Sequence, residues 1–175
     1  MVVDQNSLNV KKYFSLIIFF LLFTSKSYSN NFTLTKIIKL DDPWGSSFIN
    51  NDEIIITEKS GKIKIVNINS KKILEVKHNL NFLDVGQGGL LDIIHQNNNL
   101  WISYSEDRGN SKTSTSIAKA RLDKKELNFE NIFQANPPID SGYHFGSRLA
   151  IKDDYLFASA GERGQGMIAQ DPTKH

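Results

Sequence analysis

The segment Gly142-Tyr143-His144-Phe145-Gly146-Ser147-Arg148-Leu149 sets one imidazole between two aromatic residues, just ahead of a strand pattern. Imidazole is the side chain best matched to taking a proton near neutral pH, so His144 is a candidate general base. A lone histidine is more often structural or solvent-facing than catalytic, and it is the neighbourhood that singles this one out. Glu162, in Gly161-Glu162-Arg163-Gly164, closes the next strand at a loop tip, where a carboxylate could orient His144 or raise its basicity, or serve as an ordinary turn residue. Arg148 lies two residues into the strand with a partly buried outlook and calls for a carboxylate; Glu162 is a candidate for that pairing too. A third stretch, Gly86-Gln87-Gly88-Gly89-Leu90-Leu91-Asp92, combines glycines that let a backbone approach a ligand with an amide that can donate and accept. It leads into a strand rather than a helix, so it lacks the phosphate-binding context, and its composition favours a turn that needs positive φ.

The remaining histidines carry less. His95 closes an apolar strand as a capped core position, His78 lies in a polar segment, His175 is terminal, and no pair has metal-ligand spacing. Trp44 and Trp101 read as core residues rather than ligand platforms. With no cysteine in the chain, a disulfide framework, thiol catalysis and a cysteine metal site are all excluded. Lys plus Arg number 21 against 19 Asp plus Glu, which gives no reason to propose a nucleic-acid partner.

The elements that must position these residues read as strands. From Asn30 onward no convincing amphipathic helix is found; short β-branched and aromatic runs alternate with polar turns rich in Asn, Asp, Gly and Ser. Strands are predicted at 53–57, 62–67 and 71–76, the first two around the turn Glu58-Lys59-Ser60-Gly61. A second group falls at 90–95, 100–105, 115–122 and 129–133, and a third opens at 147–151 and 155–160. The stretches 48–57, 93–103 and 149–159 each run apolar, polar turn, apolar, hydroxyl, about 50 positions apart, as the first hairpin of a repeated unit would. A β-sandwich also has short strands at regular spacing, but the echo favours a β-propeller of four-stranded blades. About six blades of ~45–50 residues would need on the order of 300 residues, so the chain is expected to be a fragment holding between two and three blades.

Ahead of these strands, Lys11 and Lys12 precede an apolar run from Phe14 to Phe23, with Ser27 and Ser29 just beyond. That layout predicts a signal peptide over 1–29 and a mature domain over 30–175, with export to the periplasm or the extracellular space. The run is about half of the ~20 residues a membrane-crossing helix needs, so no membrane span is expected in the mature chain. Asn31-Phe32-Thr33 fits a glycosylation sequon at the mature end and carries little weight.

Taken in order, Pro43-Trp44-Gly45, Gly86-Gln87-Gly88-Gly89-Leu90-Leu91-Asp92, Tyr104-Ser105-Glu106, His144-Phe145-Gly146-Ser147-Arg148-Leu149, Gly161-Glu162-Arg163-Gly164 and Ala169-Gln170-Asp171 resemble the successive signatures of the PQQ-dependent soluble aldose (glucose/sorbosone-type) sugar dehydrogenases. The resemblance covers about Leu34 to His175 and implies a six-bladed propeller that holds pyrroloquinoline quinone (PQQ) and calcium. It implies oxidation of an aldose sugar at C1 to the lactone, with an external electron acceptor reoxidising the cofactor. His144 then matches the base beside the quinone, Gln87 a glutamine facing cofactor and sugar, and Glu162 a carboxylate near the base that is Asp in the glucose enzyme. Most of the cationic residues that clamp the PQQ carboxylates, and the calcium ligands, lie, in the family, beyond the third blade, so no metal ligand is assigned here. The alternative is a non-catalytic propeller that binds a carbohydrate or protein; a lactonase-type propeller would need a cluster of acidic and Asn metal ligands that these motifs lack.

Overall fold

The computed structural model describes residues 32–167 and 170–173; the predicted signal peptide lies outside them, as does His175. Eleven strands make three sheets, all within the compact unit Ile37–His175, and no α-helix occurs among the described residues. The first sheet is built from β1 (Pro43–Phe48), β2 (Glu53–Glu58), β3 (Ile63–Asn67) and β4 (Ile73–His78), neighbours in chain order and antiparallel. The second is β5 (Leu90–Gln96), β6 (Asn99–Asp107), β7 (Thr113–Arg121) and β9 (Glu130–Gln134). The third is the hairpin β10 (Gly146–Lys152) and β11 (Tyr155–Ala160). These are propeller blades, as the echo predicted.

Two strands were not expected from the sequence. β1 lacks an alternating pattern because Gly45 and two serines fill its middle, yet it pairs with β2 from Ser46↔Ile56 to Phe48↔Ile54. The other, β8 (Glu126–Leu127), is too short to show a period; it runs parallel to β4 through Lys77↔Glu126 and His78↔Leu127 and ties the chain from the second sheet onto the first. Beside it, the Asn79 side chain imitates a strand: its Nδ2 donates to Phe129 O (3.0 Å) and its Oδ1 accepts from Phe129 N–H (2.7 Å).

The core sits between the first two sheets. Ile55, Ile63, Ile65 and Val76 on one side meet Leu90, Ile93, Leu100, Ile102 and Tyr104 on the other, with Leu127 and Phe129 closing it. Period two dictates this: Ile63 and Ile65 alternate inward on β3, as do Leu100, Ile102 and Tyr104 on β6. Each fully buried Ile or Leu removes apolar surface from water for roughly 1.5–3 kcal/mol. Trp44 is not part of this core, being 52% exposed at an edge. Trp101 is half-buried with Lys119 Nζ 5.4 Å from its ring centre, and His95 is likewise half-buried rather than core.

One arrangement recurs in every sheet. The first strand carries an irregularity in register, between Pro43 and Ser46 in β1, Leu90 and Ile93 in β5, and Gly146 and Leu149 in β10. At that point a backbone N–H turns to a hydroxyl on the second strand: Gly45 to Thr57 Oγ1 (2.9 Å), Asp92 to Ser103 Oγ (3.0 Å), Arg148 to Ser159 Oγ (2.9 Å). The hydroxyl then donates to the next sheet, Thr57 to Leu91 O (2.5 Å) and Ser103 to Ser147 O (2.6 Å). These are the hydroxyls that end the three echoed stretches. Two further bonds hold the third hairpin to the second sheet, Leu149 N–H to Asp92 Oδ2 (2.8 Å) and Thr115 Oγ1 to Phe145 O (2.8 Å).

Candidate active site

His144 and Glu162 lie on the two loops at one end of the β10–β11 hairpin, just before β10 and just after β11, where Gly161 N–H donates to Phe145 O (3.1 Å). The loops must approach closely, and glycine permits it: a Cβ on Gly161 would come within 1.9 Å of His144 O. His144 itself takes φ 48°, a left-handed conformation that costs a non-glycine residue about 1–3 kcal/mol and has to be held by its surroundings. Three contacts hold it. Its N–H donates to Gln87 Oε1 (2.9 Å), its carbonyl accepts from Arg163 N–H (3.3 Å), and its Nδ1 meets Glu162 Oε1 in a short hydrogen bond.

Gln87 is brought in by the glycine-rich stretch, which forms the positive-φ turn that its composition favours. Gly86 has φ 57°, and a Cβ there would lie 2.4 Å from Gly142 O, so the turn backs directly onto the loop that carries His144. Gln87 N–H donates to Gly142 O (2.7 Å), which fixes its backbone while its side-chain oxygen reaches His144. Thus the structure brings together Gln87, His144 and Glu162, residues far apart in sequence.

The electrostatics follow from these contacts. The hydrogen bond from His144 holds the Glu162 carboxyl below the usual carboxylate range, outweighing the opposing effect of desolvation. An imidazole engaged at Nδ1 by a carboxylate is oriented, and its Nε2 is left to act. The His144 side chain is 53% exposed, and its Nε2 has no partner among the described residues. Gln87 is exposed, and its Nε2 likewise has none among them. The Tyr143 ring, 61% exposed, stands edge-on to the imidazole at 6.3 Å between centres. A proton acceptor, an amide donor and an aromatic ring therefore line one open surface.

The expected pairing of Arg148 with Glu162 does not form. Glu162 is committed to His144, while Arg148 is 81% exposed and reaches only Asp92, at 3.5 Å. The bulge at Arg148 turns its N–H to Ser159 and leaves its side chain outside. The basic residue that does pack into the site is Arg163, 6% exposed, which its residue type does not suggest, because arginines are seldom buried. Its guanidinium lies 3.7 Å over the Phe145 ring, and desolvation lowers its pKa to about 10, so it stays charged at neutral pH.

Whether these residues fit the two groups implied by the resemblance can be judged from their donors. The ring and carbonyl oxygens of a planar quinone suit an open surface with an imidazole, an amide donor and an exposed aromatic ring, so these residues fit that part of PQQ. No grouping of three or more His, Cys, Asp or Glu able to hold a metal occurs among the described residues.

Comparison with known proteins places these observations. The family model for glucose / sorbosone dehydrogenase matches residues 40–175. The aldose sugar dehydrogenase YliI of Escherichia coli (strain K12) is 32% identical over 146 residues, a match covering 78% of this chain and 39% of that one. The crystal structure of the soluble aldose sugar dehydrogenase from Escherichia coli in the apo-form superposes with a TM-score of 0.71 at 31% identity, covering 77% of this chain and 42% of that one. The PQQ-bound form of the aldose sugar dehydrogenase from Streptomyces coelicolor shares the fold, with a TM-score of 0.67 at 21% identity over 78% of this chain and 42% of that one. The chain spans well under half the length of these relatives. Blade architecture, ordered motifs and family match agree: this chain belongs to the glucose/sorbosone dehydrogenase family.

Proposed function

We propose that the full-length parent of this chain oxidises an aldose sugar at C1 to the lactone, with His144 as the base. The observation that supports it is the His144 geometry: Nδ1 on Glu162, backbone on Gln87, and an exposed Nε2 with no partner among the described residues. His144 Nε2 takes the proton of the C1 hydroxyl as the C1–H leaves with its electron pair, so that C1–O becomes a carbonyl. Bound PQQ supplies the two-electron acceptor for that hydride, and an external acceptor later removes the electrons. Glu162 holds the imidazole in the tautomer that presents Nε2 and stabilises the imidazolium once formed. Gln87, through its amide, would donate to the sugar or to a quinone oxygen, and Tyr143 would offer its ring to the apolar face of a pyranose.

The PQQ carboxylates call for a cationic cradle, and the arginine of the described site, Arg163, is occupied by carbonyl groups. We therefore propose that this chain alone does not turn over sugar, and that the mature domain acts outside the cytoplasm after export. A carbohydrate-binding propeller without redox chemistry would use the same surface but has no need of an oriented imidazole.

The test is H144Q in the full-length parent, assayed by sugar-dependent dye reduction with PQQ and calcium supplied. Turnover is expected to fall by at least ~100-fold while PQQ uptake is kept, since general-base contributions run to about 10²–10⁴-fold. Undiminished turnover would remove His144 as the base.

A further inference from the structure

Arg163 is a buried cation with no acidic partner among the described residues: none of the ion pairs includes it. Its guanidinium instead gathers backbone. Nε donates to Tyr143 O (3.0 Å), Nη1 to Thr113 O (3.1 Å), and Nη2 to Thr113 Oγ1 (2.6 Å) and to Ser141 O. The Phe145 ring covers its face, and its own N–H donates to His144 O. One residue thereby touches Tyr143, His144 and Phe145 in succession, and ties them to the entry of β7.

Burying a cation without an acid is costly, and an apolar residue would fill the space. What a guanidinium adds is a rigid planar fork that holds several acceptors in fixed relation. The need for one is visible in the backbone it grips, since His144 sits at φ 48° and would relax if released. Arg163 is also the chain neighbour of Glu162, so the same anchor sets both partners of the hydrogen bond.

We propose that Arg163 is the positioning residue of the His144–Glu162 pair, its buried fork fixing the backbone of the imidazole relative to the carboxylate that meets Nδ1. This rests on His144 and Glu162 being the working pair of the proposed reaction.

The test uses this chain labelled with ¹⁵N-histidine, which contains four histidines, with the His144 Nδ1–H signal identified by its loss in H144Q. R163M is expected to keep a cooperative thermal transition and dispersed amide signals yet to lose the Nδ1–H signal, as is E162A, which leaves Nδ1–H no acceptor. R163K, with a point charge in place of the fork, is expected to restore it only in part. An unchanged signal in R163M overturns the proposal, and so does failure of both R163M and R163K to fold, which would make the residue a requirement of the fold itself. In the full-length parent, R163M is expected to lower kcat about 100-fold with KM within about twofold, the mark of misplaced reacting groups. A change confined to KM also overturns it. The spectroscopic test needs neither quinone nor sugar, so it separates the two ideas: a lost signal in R163M beside an active H144Q parent sinks the base assignment and leaves the positioning intact.

Discussion

Glu162 has its folded-state pKa depressed by the hydrogen bond from His144, which fixes the sign of its pH effect. The stabilisation it lends is present above the ordinary carboxylate range and is lost as pH falls through the lowered value. Following the Glu162 side-chain carboxyl by carbon NMR should therefore show titration below the ordinary glutamate range; H144Q should return it towards that range. In the parent enzyme, E162Q is expected to reduce kcat by roughly 10–100-fold, because an amide can still orient the ring but cannot stabilise its charged form. Wild-type turnover in that variant would leave Glu162 a turn residue. At this scale the sequence was a fair guide to which residues meet, since His144, Glu162 and Gln87 stood out by type and by glycine context. It misled on the arginines: strand period suggested a half-buried Arg148, and the bulge that exposes it has no signature in residue types. Arg163 looked like a loop residue because nothing local reveals that three carbonyls converge on it.

Among the strands, the hydroxyl that accepts from a bulge and donates to the next sheet is the recurrent device. Ser103 is fully buried, and removing its hydroxyl strands the Asp92 N–H and the Ser147 carbonyl. S103A is therefore expected to cost about 1–3 kcal/mol in urea unfolding, more than the usual exposed serine, and T57A a similar amount. A loss below ~0.5 kcal/mol would show that water replaces the bond. Strand positions came through well because apolar alternation and Asn/Asp turns coincide; β1 and β8 were missed because glycine, serine and a two-residue pairing carry no period. The element scale also explains why a carboxylate three residues past the bulge-binding hydroxyl is not by itself a catalytic sign. Glu106 lies three residues past Ser103, as Glu162 lies three past Ser159, yet it is closed in by Ser116, Asn131 and Gln134. What differs is the residue offered from the preceding loop, Gly88 in the second sheet and His144 in the third.

For the molecule as a whole, the apolar side chains left exposed around β11 matter most. Tyr155 and Phe157 are 70% and 55% exposed, Phe133 on β9 is 45% exposed, and β11 has no second neighbour among the described strands. An apolar strand edge of this kind pairs with other chains. The chain is expected to associate with rising concentration, and F157K to shift it towards the monomer, as sedimentation velocity would read; a monomer at high concentration would mean that the edge is covered. The serine and threonine stitch carries a separate consequence. The second sheet carries both halves of it, its Leu91 carbonyl accepting from Thr57 of the first sheet and its Ser103 hydroxyl donating to Ser147 of the third, so one kind of bond joins it to both neighbours. Such an array can gain or lose a module by gene duplication or deletion without a new interface having to be invented.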